Sequence, residues 1–144
     1  MIEKSESIKN LAEALATFQG TVANIAKKAT NPFFKSKYAT LADILNTIRE
    51  PLKESGLSVA QFPTGEDELT TVLMHTSGEY LMGASKMKPA KNDPQGVGSA
   101  ITYQRRYALS AVLGLNIDDD DDGNAASTPG NNKFTTSNFT GVKQ

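Results

Sequence analysis

The chain has 144 residues, enough for one domain with its own apolar core, and a formal net charge of −1. It contains no cysteine, which excludes disulfides and thiolate metal sites. No apolar run is long enough to span a bilayer and the N-terminus has no signal-peptide core, so a soluble cytoplasmic protein is expected, with no membrane partner.

Residues 5 to 26 place Ile8, Leu11, Leu15, Phe18, Val22 and Ile25 three or four positions apart, a narrow apolar seam on a helix. The segment from Lys27 to Tyr38 then alternates cations with rings, the pairing by which a single strand is held without its sequence being read. Lys35 and Lys37 suit phosphates, and Phe34 or Tyr38 suits a base. The competing reading is that Phe33 and Phe34 anchor the loop on the core, since two adjacent bulky rings are rarely both left in water. Thr40 to Asp43 fits a capping box and opens a second helix that buries Leu41, Ile44, Leu45, Ile48 and Leu52. Ser55 and Gly56 end it, and Pro51 should kink its last turn.

Three short segments rich in Val, Leu, Thr and aromatics follow, Leu57 to Phe62, Leu69 to His75 and Tyr80 to Ser85, separated by turn-forming residues. They predict a three-stranded antiparallel meander. Lys86, Lys88 and Lys91 come next and could close over a bound strand, or could simply be a solvated loop. Asp93 as N-cap and Pro94 at the first helical position open the last helix, which Gly114 ends. On a 3.6-residue repeat, Val97, Ile101, Ala108, Ala111, Val112 and Leu115 share an apolar side, expected to be core. Ser99, Tyr103, Arg106, Tyr107 and Ser110 share the other, a guanidinium between rings and hydroxyls suited to unstacked bases and phosphates, while Arg105 falls at the border. Tyr and Arg are equally the residues of protein interfaces, so a subunit contact is the alternative for this stripe. The order helix, helix, three strands, helix gives an α+β fold with the sheet beneath the last helix.

The block GSAITYQRRYALSAVLGL from Gly98 to Leu115, followed by Asp118 to Asp122, resembles the signature of the ERF (essential recombination function) family of phage single-strand annealing proteins. NPFFKSKYATLAD from Asn31 to Asp43 and LTTVLMHTSGEY from Leu69 to Tyr80 are similar to the same family, and the likeness covers roughly residues 5 to 125. It implies a β-β-β-α core like that of other annealing proteins that form rings or filaments, and ATP-independent annealing by a DNA-binding homo-oligomer in a bacterial host.

Charge distribution reconciles a net −1 with a nucleic-acid partner. Residues 118 to 144 carry −3, so residues 1 to 117 carry +2, and the windows 27 to 53 and 86 to 107 are each +4. The segment 1 to 123 is read as the binding and oligomerisation domain, and 124 to 144 as a flexible polar tail that could dock on a host single-strand-binding protein. Asp118 to Asp122 starts like a calcium loop but has Pro129 where the bidentate Glu belongs, so that motif fails. What is left is a solvated run, a loosely held Mg²⁺, or, preferred, a partner for nearby cations.

Enzymatic signal is poor. His75 is the only histidine and sits in a predicted strand, and the phosphate-cradling G-x-x-x-x-G-K-[ST] is absent. Glu66, Asp67 and Glu68 fall in a hairpin turn, which leaves a small metal-dependent nuclease the weakest reading, behind a structural or adaptor oligomer. The favoured expectation is a non-enzymatic single-stranded-DNA-binding and annealing protein without an obligatory cofactor, contacting DNA through Lys35, Lys37, Tyr38, Lys86, Lys88, Tyr103, Arg105, Arg106 and Tyr107.

Overall fold

The computed structural model describes residues 1–28, 39–89 and 91–117. In chain order they form β1 (Ile2–Lys4), α1 (Lys9–Lys28), α2 (Leu41–Ser55), β2 (Leu57–Gly65), β3 (Glu68–His75), β4 (Tyr80–Lys86) and α3 (Pro94–Leu113). The fold is α+β, as expected, but the sheet has four strands in the order β1-β4-β3-β2, all antiparallel neighbours. The fourth strand is the N-terminus itself. Ile2, Glu3 and Lys4 pair with Gly83, Met82 and Leu81, and three residues are too few to show a period of two in sequence. The first helix consequently starts at Lys9 rather than at residue 5.

Local chemistry fixes the helix ends. Glu79, in the β3–β4 turn, accepts from the Leu11 backbone N–H at 2.8 Å and from Asn10 Nδ2 at 2.9 Å, placing a carboxylate on the positive end of α1. Thr40 and Asp43 make the reciprocal capping box at the start of α2, and Gly56 closes that helix at φ 74°, a left-handed conformation that costs glycine nothing. Pro51 is buried inside α2, and the helix runs on through it to Ser55. The hairpin strands extend further than predicted, to Gly65 in β2 and Lys86 in β4, with a register shift between Pro63 and Gly65. A proline at this point forms no ladder N–H bond, and β2 is an edge strand where that is tolerated.

The register places Leu57 and Val59 of β2, Leu69, Thr71 and Leu73 of β3, and Leu81 and Ser85 of β4 on one face of the sheet. On that face Leu57 and Leu73 join Leu11, Phe18, Ile44, Ile48, Leu109 and Leu113 in a single core. Each fully buried side chain of this size contributes roughly 1.5–3 kcal/mol. The α1 seam therefore packs as its spacing indicates through Leu11 and Phe18, with Ile8, Leu15 and Val22 at its margins; the side chain of Ile25 lies outside the described residues. The other face of the sheet, carrying Ala60, Phe62, Val72, Met74, Tyr80 and Met82, takes no part in this core, and Phe62 is 43% exposed.

Candidate nucleic-acid interface

The last helix begins as its sequence dictates. Asp93 is extended and its Oδ1 accepts from the Gly96 N–H at 2.7 Å, Pro94 follows, and Gly114 ends the helix at φ 69°. Its buried face is another matter. Arg106, Leu109 and Leu113 are the buried residues, whereas Val97 is 36% exposed, Ala111 is exposed, and Ile101, Ala108, Val112 and Leu115 are only partly covered. The predicted core stripe thus faces outward or lies at the margins, and Arg106, expected on the open side, is buried at 7% exposure. Apolar residues in α3 are scattered around the axis and several are alanines, so periodicity alone does not choose a side.

Tertiary contacts make the choice. Arg106 Nε donates to the Ala39 carbonyl at 2.6 Å, tying α3 to the chain just ahead of α2, and the Ala39 N–H in turn donates to the Ile117 carbonyl at 3.0 Å. A buried guanidinium must be hydrogen-bonded to be tolerated, and this carbonyl supplies one acceptor. Its Cζ also lies 4.8 Å from the centroid of the Tyr107 ring, and Tyr107 in turn meets Tyr103 at 4.5 Å between centroids with planes tilted 52°. The result is a ladder from a buried cation through a half-buried ring to an outer ring that is 60% exposed.

Tyr103 opens into a cleft of about 850 Å³ between the β4–α3 connection and the first half of α3. Among the described residues Lys86, Lys88 and Lys91 line it with Asp93 as the one carboxylate, a charge of +2. Gln104 forms part of the wall and donates to Ser85 Oγ at 3.0 Å, locking this part of α3 onto β4. Gly96 is a lining residue that sequence reasoning missed. A β-carbon there would collide with the Lys91 carbonyl, so only glycine lets the helix start sit against the lysine-bearing loop. Its position three residues after the N-cap Asp93 was the available signal, but no sequence pattern reports which backbone lies opposite.

The predicted site residues are accordingly divided. Lys86, Lys88 and Tyr103 meet in the cleft. Tyr107 supports Tyr103 and reaches a second hollow beside β4, Arg106 is an internal anchor, and Arg105 faces a separate groove toward α2. Lys35, Lys37 and Tyr38, with Phe33 and Phe34, lie outside the described residues, as do Asp118 to Asp122 and the 124–144 tail. His75 has a local partner, its Nδ1 accepting from the Ser77 N–H at 3.1 Å. Among the described residues no group of three or more acidic or histidine side chains is placed to hold a metal, and no helix is long and apolar enough to cross a membrane.

The family model of the ERF superfamily matches residues 11–141, nearly the whole chain. The chain belongs to the ERF superfamily. Neither the curated proteins nor the solved structures compared with it give a match. Membership implies the role of ERF proteins in single-strand annealing and phage recombination, and the match spans both the cleft and the Arg106 anchor.

Proposed function

We propose that this ERF protein binds single-stranded DNA in the Tyr103 cleft and promotes annealing of complementary strands without ATP or an obligatory cofactor, as a homo-oligomer in the bacterial cytoplasm. The observation that carries the reading is the convergence of Lys86, Lys88 and Lys91 with one exposed, laterally supported tyrosine. The lysines neutralise phosphates. Tyr103 offers a π-face on which any base can stack, and Tyr107 with Arg106 behind it keeps the ring in place without blocking its outer side.

Such a surface is indifferent to sequence. Holding a strand with its charge reduced lowers repulsion toward its complement, and duplex stacking, about 1.4 kcal/mol per step, makes the product favourable. No covalent step is needed. The apolar sheet face with Phe62, Val72 and Met82 supports the oligomer, since a row of this kind is commonly covered by a neighbouring subunit.

The test is titration of a fluorescent oligonucleotide across a salt series with wild type and Tyr103→Ala. Loss of the ring should weaken binding by roughly 1–3 kcal/mol while the melting temperature changes little. Wild-type affinity in the folded variant would remove Tyr103 from the interface and with it the main support for this reading.

A further inference from the structure

Arg105 follows Tyr103 by two positions, about 200° around the axis of α3, and therefore serves a different surface. That surface is a groove of about 530 Å³ between α2, β2 and α3. Arg49 and Lys53 stand on its α2 wall one turn apart, about 6 Å along the axis, both exposed. Arg105 stands across from them on α3, half-buried and held in place. Gln61 Nε2 donates to the Arg105 carbonyl at 3.2 Å and to Thr71 Oγ1 at 3.0 Å, while Arg105 Nε donates to Gln61 Oε1 at 3.4 Å. Leu45, Leu57 and Val59 supply apolar wall between the cations. Among the described residues no carboxylate lines the groove, and none is ion-paired with Arg49, Lys53 or Arg105.

Three cations with no carboxylate partner among the described residues, set over a low-dielectric wall, focus a positive potential that a polyanion would relieve. Unlike the Tyr103 cleft, the groove has no Phe, Tyr or Trp in its lining among the described residues; its ring is His75, part-buried with Nδ1 accepting from the Ser77 N–H, so it offers no open stacking face like that of Tyr103. We propose that it holds the phosphate backbone of a second single strand, on the opposite flank of α3 from the first, leaving that strand's bases unstacked on protein and open to pairing. The assignment rests on the single-strand reading above. It gives annealing a division of labour, with one strand held by ring and phosphate contacts and the other by phosphate contacts alone.

The experiment titrates full-length protein with dye-labelled oligo(dT), which cannot self-pair, and follows both binding phases at several salt concentrations. Arg49→Gln with Lys53→Gln, at two exposed positions, should weaken the second phase at least tenfold and lower its salt slope by about 1.4, two contacts at about 0.7 each, leaving the first phase within twofold. Tyr103→Ala should do the reverse. The charge-conserving pair Arg49→Lys with Lys53→Arg should retain the second phase, which separates loss of charge from loss of fold.

Equal weakening of both phases by the Gln pair, or no weakening of either, overturns the second site. So does an effect of the Gln pair that vanishes once Asp118 to Asp122 are converted to Asn, because the groove would then belong to the acidic run. A wild-type chain that binds oligo(dT) in one phase, insensitive to Arg49 and Lys53 but sensitive to Tyr103, refutes the groove and leaves the Tyr103 cleft standing. A wild-type chain that binds no oligo(dT) at all refutes the single-strand reading itself.

Discussion

The two halves of α3 do opposite work. From Gln95 to Tyr103 no residue is fully buried, and the helix is held by its Asp93 cap and by close approach to the Lys91 loop; from Arg106 to Leu113 it is part of the core. A single continuous helix thereby couples a packed base to the exposed wall of the Tyr103 cleft. Rigidity matters here, because a stacking ring contributes only if its own ordering has been settled before the base arrives. The difference between the halves teaches that the position of Tyr103 depends on contacts made one or two turns further along.

The comparison can be broken from its core end first. Leu109→Ala should lower stability by about 3 kcal/mol, as expected for a fully buried leucine, and Arg106→Ala by about 2 kcal/mol through loss of the charged hydrogen bond to the Ala39 carbonyl. Denaturant titration checks both. Oligonucleotide affinity of the folded Leu109→Ala fraction should change far less than stability; Arg106→Ala, which removes the cation behind Tyr107, should weaken binding with an unchanged salt slope, whereas a slope reduced by about 0.7 would return this arginine to the DNA surface.

Gly96→Ala probes the junction of helix and loop. Its β-carbon would force the Lys91 carbonyl aside at a cost of about 1–3 kcal/mol, and the displaced loop should lose single-strand affinity at the same time. Alanine at Gly98, whose β-carbon would meet nothing within 4 Å, is the matched control and should leave the cleft intact. Equal behaviour of the two variants would show that the loop does not need this contact.

The smallest effect belongs to the exposed lysines. Lys88→Gln should leave stability within about 0.5 kcal/mol and reduce the slope of log affinity against log salt by about 0.7, one phosphate contact. An unchanged slope would mean that Lys88 lies off the strand's path.

Much of the architecture was legible one segment at a time. The capping box at Thr40, the Asp93 and Pro94 helix start, the Gly56 and Gly114 stops and the three main strands all follow from chemistry within a few residues of each boundary. The β1 strand was not legible, because its identity depends on pairing with β4, about 80 residues away in sequence.

The site was legible as a set of residue types and only partly as a place. Lysines after β4 and a tyrosine on the next helix could be named from sequence, and they share a cleft. The orientation of α3 could not be named. Its weakly patterned sequence leaves several faces nearly equivalent in apolar content, and the balance is settled by a carbonyl at Ala39 that needs a donor, by the leucines at 109 and 113 that fit the core, and by Gln61 and Gln104 fixing the flanks. Sequence by itself determined element boundaries and the supply of cations and rings, since these are local properties of the chain. Only tertiary structure decided that Arg106 points inward, Arg105 toward α2 and Tyr103 into the open cleft, since rotation of a helix about its own axis is set by what its neighbours require.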